Sequence, residues 1–73
     1  MATTTERLIA RNHITHCLAN AREYGTHVRV LGFEMHNGPI SNTVIETVLC
    51  EMLAQGTVEE HFDGHGTYYV EGR

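Results

Sequence analysis

The chain has no lysine, a single proline, two cysteines and, among 73 residues, only three tyrosines and two phenylalanines as aromatics. Each scarcity excludes something. Without lysine, the positive charge rests on five arginines against nine acids, a formal net charge of −4 and a pI near 5.8. A dedicated nucleic-acid binder shows the opposite balance, because its affinity comes largely from neutralising phosphates. The charge counts against DNA, although a local patch can act against the net sign. Cys17 and Cys50 build no disulfide framework, and a reduced, cytoplasmic chain is the simpler reading. No apolar run approaches the ~20 residues that span a bilayer. The opening MATTTERLIARN lacks the apolar stretch of a signal peptide. Together with the initial Met and the lack of a low-complexity tail, this leads us to expect a complete small protein. No nucleophile elbow, phosphate-binding loop or metalloprotease motif is present, so we expect neither an enzyme nor a cofactor.

What is present suits one small domain. A chain of this length buries only about 60% of its unfolded surface, so its core is marginal. The hydrophobic fraction, 41%, is too high for a disordered chain. Six histidines can carry the net charge from −4 towards +2 on protonation. Any binding by this chain should therefore vary steeply between about pH 5 and 7.

Four elements are expected in one domain over residues 1–73. The first is a helix over 5–24, capped by Thr5 or a neighbouring Thr, with Ala10, Ile14, Cys17, Leu18 and Ala21 as its apolar stripe and Gly25 as its stop. Residues 26–36 are a short helix or a strand: Val28 and Val30 favour a strand, whereas Val28, Leu31 and Met35 have helical spacing. Asn37, Gly38 and Pro39 then interrupt the chain. The third element is a long helix over 41–55, with Ser41 as N-cap, Gly56 as stop, and Val44, Ile45, Val48, Leu49, Met52 and Leu53 on one face. Last comes a hairpin over 57–71, with Asp63–Gly64 as its two-residue turn.

Helix, short element, tight turn, long helix and hairpin is the order of a winged helix-turn-helix domain, an α+β and mostly helical fold. ISNTVIETVLCEMLAQGTV resembles that family's recognition helix, and DGHGTYYVEG resembles its wing. The resemblance implies three helices plus a C-terminal hairpin. It also implies a regulator whose third helix enters the major groove. On such a scaffold the outward face of the long helix holds Thr43, Glu46, Thr47, Cys50 and Ala54, flanked by Asn42 and Glu51. The hairpin adds Glu59, Glu60, His65 and one of the adjacent tyrosines, which we take as Tyr69. Asn42, Thr43 and Thr47 can bond to bases, but the acids repel phosphate.

This conflict between scaffold and charge leads to three readings. In the first, the scaffold has turned to protein contact, with a partner in the transcription machinery. RNA polymerase is then the target, in the manner of small phage-encoded regulators acting in the cytoplasm of a bacterial or infected host cell. In the second, it is an autonomous DNA-binding repressor, dimeric through the first helix. The third is a metal- or pH-responsive histidine switch. Arg7, Arg11, Arg22 and Arg29 form the basic patch available to any acidic ligand, and the C-terminal half is the acidic one. His13, His16 and Cys17 have the spacing of metal ligands on one helix face. Cys17 equally suits the apolar stripe as a small core residue, and no metal is assigned. Cys50 has no cation beside it to lower its pKa and reads as an inert thiol.

Overall fold

A computed structural model of the protein describes residues 3–35 and 38–72. Helix α1 spans Thr4–Glu23. Strand β1 covers Val28–Arg29 and runs directly into a 3-10 helix, Val30–Phe33. Helix α2 spans Asn42–Gln55, and strands β2, Val58–Asp63, and β3, Gly66–Glu71, close the chain. The fold is α+β, with two α-helices against a three-stranded antiparallel sheet of order β1-β3-β2. Among the described residues no helix is long and apolar enough to cross a membrane.

The helix ends follow local chemistry. Thr3 caps α1 and forms a capping box: its hydroxyl accepts from Glu6 N–H, and the Glu6 carboxylate accepts from Thr3 N–H. Ser41 Oγ accepts from Val44 N–H at the start of α2, and Gly56, at φ 78°, ends that helix in the left-handed conformation. One element differs from expectation. Residues 26–35 do not make a third α-helix; β1 and a single 3-10 turn share the segment, so both of its sequence tendencies are used in succession. The expected stop at Asn37 lies outside the described residues.

The hairpin turn also differs. Asp63 pairs with Gly66, so the loop is Gly64–His65, one residue later than expected. Asp63 is the last strand residue, and its Oδ1 accepts from His65 N–H at 2.8 Å, an Asx turn that shapes the loop. Gly66, not Gly64, takes the positive φ, 126°.

Three stripes meet in the core: Ala10, Ile14 and Leu18 from α1; Ile45, Val48, Leu49 and Met52 from α2; and Val58 and Tyr69 from the sheet. Phe33 and Ile40 close it from the connecting segment. Phe33 is 1% exposed and meets the Tyr69 ring edge-on at 5.5 Å. Opposite residues of an antiparallel pair share a face. Val28, Val58, Glu60, Phe62 and Tyr69 therefore point to the helix side, and Arg29, Glu59, His61 and Tyr68 point away from it.

Candidate protein-interaction surface

The four arginines expected to form a patch are all engaged within the chain. Each reaches from the N-terminal half onto the C-terminal half of the same chain. Arg7 on α1 pairs with Glu51 on α2. One turn later, Arg11 donates to Gln55 Oε1 at 3.4 Å. Arg22 pairs with Glu71 at 3.1 Å, tying the end of α1 to the end of β3. Arg29 pairs with Asp63 at 2.7 Å, and its guanidinium lies beside Gly66. The asymmetry of charge along the sequence is thus largely an internal complementarity. Glu51, expected to face a partner, is engaged with Arg7 instead.

The Arg29–Asp63 pair anchors a cluster on the outward sheet face. The Tyr68 ring lies 4.0 Å from the His27 ring and 5.6 Å from the His61 ring, centroid to centroid, with the Arg29 guanidinium 5.9 Å away. The Arg29 hydrogen bond, with the His65 N–H, holds the Asp63 carboxyl below the usual carboxylate range. His27 Nε2 stands 3.7 Å from the same carboxylate and joins the ion pair when protonated.

The residues with metal-ligand spacing separate into two roles. His13 Nε2–H donates to the Phe33 carbonyl at 2.9 Å, and the Cys17 thiol donates to the Gly32 carbonyl at 3.7 Å. These bonds satisfy carbonyls at the end of the 3-10 turn, which a helix end otherwise leaves unpaired. A His13 that donates from Nε2 cannot accept there, so the 3.7 Å approach of Cys17 Sγ to that nitrogen is a packing contact. His16 is exposed and bonds Asn20 at 3.1 Å. Among the described residues, no three His, Cys, Asp or Glu side chains gather to hold a metal ion. Burial pushes the Cys17 thiol above its ordinary pKa, as suits a structural thiol.

The polar side of α2 faces outward as its periodicity requires: Thr43, Glu46, Thr47, Cys50 and Ala54 are exposed. Thr47 Oγ1 donates to the Thr43 carbonyl at 2.9 Å, which leaves only its lone pairs for a partner. Both threonines line a concavity of about 570 Å³ between the first turns of α1 and α2, beside Arg7. Asn42 is turned to structural use, since its Oδ1 accepts from Met35 N–H at 2.8 Å and holds the connecting segment on α2.

On the hairpin, Glu59, Glu60 and His65 are exposed, with His65 in the tip loop. Tyr69 is the tyrosine that faces inward, at 7% exposure, and Tyr68 the one that faces out. The sequence held the signal for this. A two-residue loop, at Asp63–Gly64 or at Gly64–His65, pairs even-numbered residues of β2 with odd-numbered residues of β3. An inward Val58 therefore fixes an inward Tyr69. Burial raises the Tyr69 pKa, and the neighbouring Glu60 carboxylate and the Cys50 thiol add to the rise. Glu60 and Cys50 thus border the same part of the surface. Phe62, on the same side of β2, is 78% exposed. Among the described residues neither Glu46 nor Glu59 makes an ion pair. Glu46 and Glu60 therefore make the helix side of this region acidic, with Phe62 as an unburied ring, while Glu59 adds a carboxylate on the opposite face of β2. Comparison of the chain with protein-family models, with characterised proteins and with solved structures returns no match.

Proposed function

We propose that the protein is a small regulator of winged-helix type that acts by contacting a protein of the transcription machinery. Support for the scaffold is its order of elements, helix, strand, short helical turn, helix and hairpin, with β3 central in the sheet. In this reading the 3-10 turn stands where the family has its second helix. α2 takes the position of the recognition helix, and β2 with β3 forms the wing.

One observation carries the choice of protein over DNA. Every arginine among the described residues is held by the chain's own C-terminal half, whereas Glu46 and Glu59 are left for an outside partner. A groove reader needs the reverse, because counterion release from phosphates supplies most of its affinity. α1 also offers little to a dimer of the repressor kind, since Leu8 is its one large hydrophobic side chain that is mostly exposed. The scaffold points by analogy to RNA polymerase, in the cytoplasm of a bacterial cell.

The test pairs two titrations. Anisotropy of a labelled random-sequence duplex should show no binding at low salt, while immobilised RNA polymerase should retain the protein. Glu46→Lys should weaken that retention. Tight duplex binding with a steep salt dependence, strengthened by Glu46→Lys, would establish the DNA reader instead.

A further inference from the structure

We infer that the outer edge of β2 is a docking site for an extended, basic segment of a partner protein, which adds to the sheet as a fourth strand. The inference rests on the protein-contact reading above for the nature of the partner, and it supplies the mode of contact. Three observations lead to it.

The first is the edge itself. β3 lies between β1 and β2, so one side of β2 has no strand partner among the described residues. Alternate residues of such a strand present N–H and C=O groups outward. Folded proteins usually blunt an exposed edge with proline, a bulge or very short length. β2 has none of these: it is six residues long, contains no proline, and pairs with β3 residue for residue from Val58–Glu71 to Asp63–Gly66.

The second is the groove beside it. A shallow concavity of about 460 Å³ is lined by Leu53 and Gly56 at the end of α2 and by Val58, Glu59, Glu60 and His61. Four successive strand residues share this lining although their side chains alternate between faces, so the concavity follows the strand edge. Leu53 is only partly buried and offers an apolar contact on the helix side.

The third is charge. Glu59 and Glu60 project to opposite faces, so an added strand meets a carboxylate on whichever face its side chains lie. A second copy of this chain would bring its own two glutamates to the same edge and be repelled. A strand with adjacent basic residues is attracted on both faces. The two acids thus guard the edge against self-pairing and select the partner. Strand addition of this kind draws affinity from the main chain and specificity from side chains.

The probe is a blocked octapeptide, Thr-Val-Thr-Lys-Lys-Thr-Val-Thr. Amide exchange and backbone chemical shifts of the intact protein report its position. Outward-facing β2 amides should exchange at least about tenfold more slowly with peptide bound. The double variant Glu59→Lys/Glu60→Lys, whose exposed side chains leave the fold intact by circular dichroism, should bind at least about tenfold more weakly. A peptide of the same sequence N-methylated at alternate residues keeps its charge but loses its strand donors, and it should not bind. Equal binding by the methylated peptide, shifts confined to α2 without β2 protection, or no binding at millimolar peptide would each overturn the proposal. Polymerase retention without peptide binding would refute only the docking mode. Peptide binding without polymerase retention would refute only the assignment of the target.

Discussion

α1 and α2 are both amphipathic helices with a glycine just past the last turn, yet their polar faces are used differently. The arginines of α1 reach across to α2 and β3: Arg7 to Glu51, Arg11 to Gln55 and Arg22 to Glu71. Its histidine and thiol hold the 3-10 turn. α1 is therefore a scaffold on both faces. α2 buries one face as deeply, but its other face, with the β2 edge beside it, keeps Glu46 and Glu59 unpaired. In a small domain with a marginal core, a charged side chain that makes no internal ion pair is one the fold does not need. Such a side chain is free to serve a partner.

The contrast predicts that changes to the scaffold alter stability, and that changes to the α2–β2 surface alter binding alone. The largest effect should come from Phe33→Ala. Phe33 is enclosed between the helices and Tyr69, and its removal leaves a cavity that so small a core cannot close. We expect a loss of about 3–5 kcal/mol, read by chemical denaturation. Glu46→Lys, by comparison, should remain within about 0.5 kcal/mol of the parent.

Gly72→Ala should come next. Gly72 N–H donates to the Thr57 carbonyl at 2.7 Å, and a Cβ on Gly72 would stand 2.0 Å from the Gly56 carbonyl oxygen. That contact is with backbone, so no side chain can move aside. The base of the hairpin must open, at about 1–3 kcal/mol. Exchange of the Gly72 amide should accelerate more than that of amides in α1.

How much of this was legible in the sequence depended on whether an element's partners were near in the chain. α2 was readable because its six apolar positions and both caps are local. Residues 26–36 were not. What settles that segment is distant: His13 bonds to the Phe33 carbonyl from twenty residues away, and Asn42 holds Met35 N–H. Without those partners, Val28 and Val30 argue for a strand as well as Leu31 and Met35 argue for a helix. The same limit hid the use of the arginines. Charge separation along the chain was visible, but whether it would meet itself or a partner depended on the packing of α1 against α2 and β3. The choice of tyrosine was different, since hairpin parity alone decides it.

The Arg29–Asp63 pair gives a pH signature to the scaffold side. Asp63 has a folded-state pKa below its unfolded value, chiefly through the Arg29 hydrogen bond. Its contribution is thus fully present above the unfolded value, about 3.9, and is lost as pH falls through the lower folded value. Stability measured from about pH 6 down to about pH 2.5 should fall along this limb. In Asp63→Asn the fall should be shallower, because the proton uptake is gone. An unchanged slope would mean that the pair at the hairpin tip contributes nothing to folding.

The smallest effect on stability separates the two surfaces most sharply. Glu51 and Glu59 are both carboxylates of the C-terminal half, and both were candidates for partner contact. Arg7 engages the first, with half the arginine side chain and 38% of the glutamate side chain still exposed. Exposed pairs of this kind contribute about 0.2–1 kcal/mol. Glu51→Gln should therefore lower stability by no more than that and leave binding of the basic octapeptide unchanged. Glu59→Gln should do the opposite, with no measurable loss of stability and severalfold weaker peptide binding. Both variants remove one negative charge, so a general electrostatic attraction would make them equal in the binding measurement. Only a partner seated along β2 makes them differ.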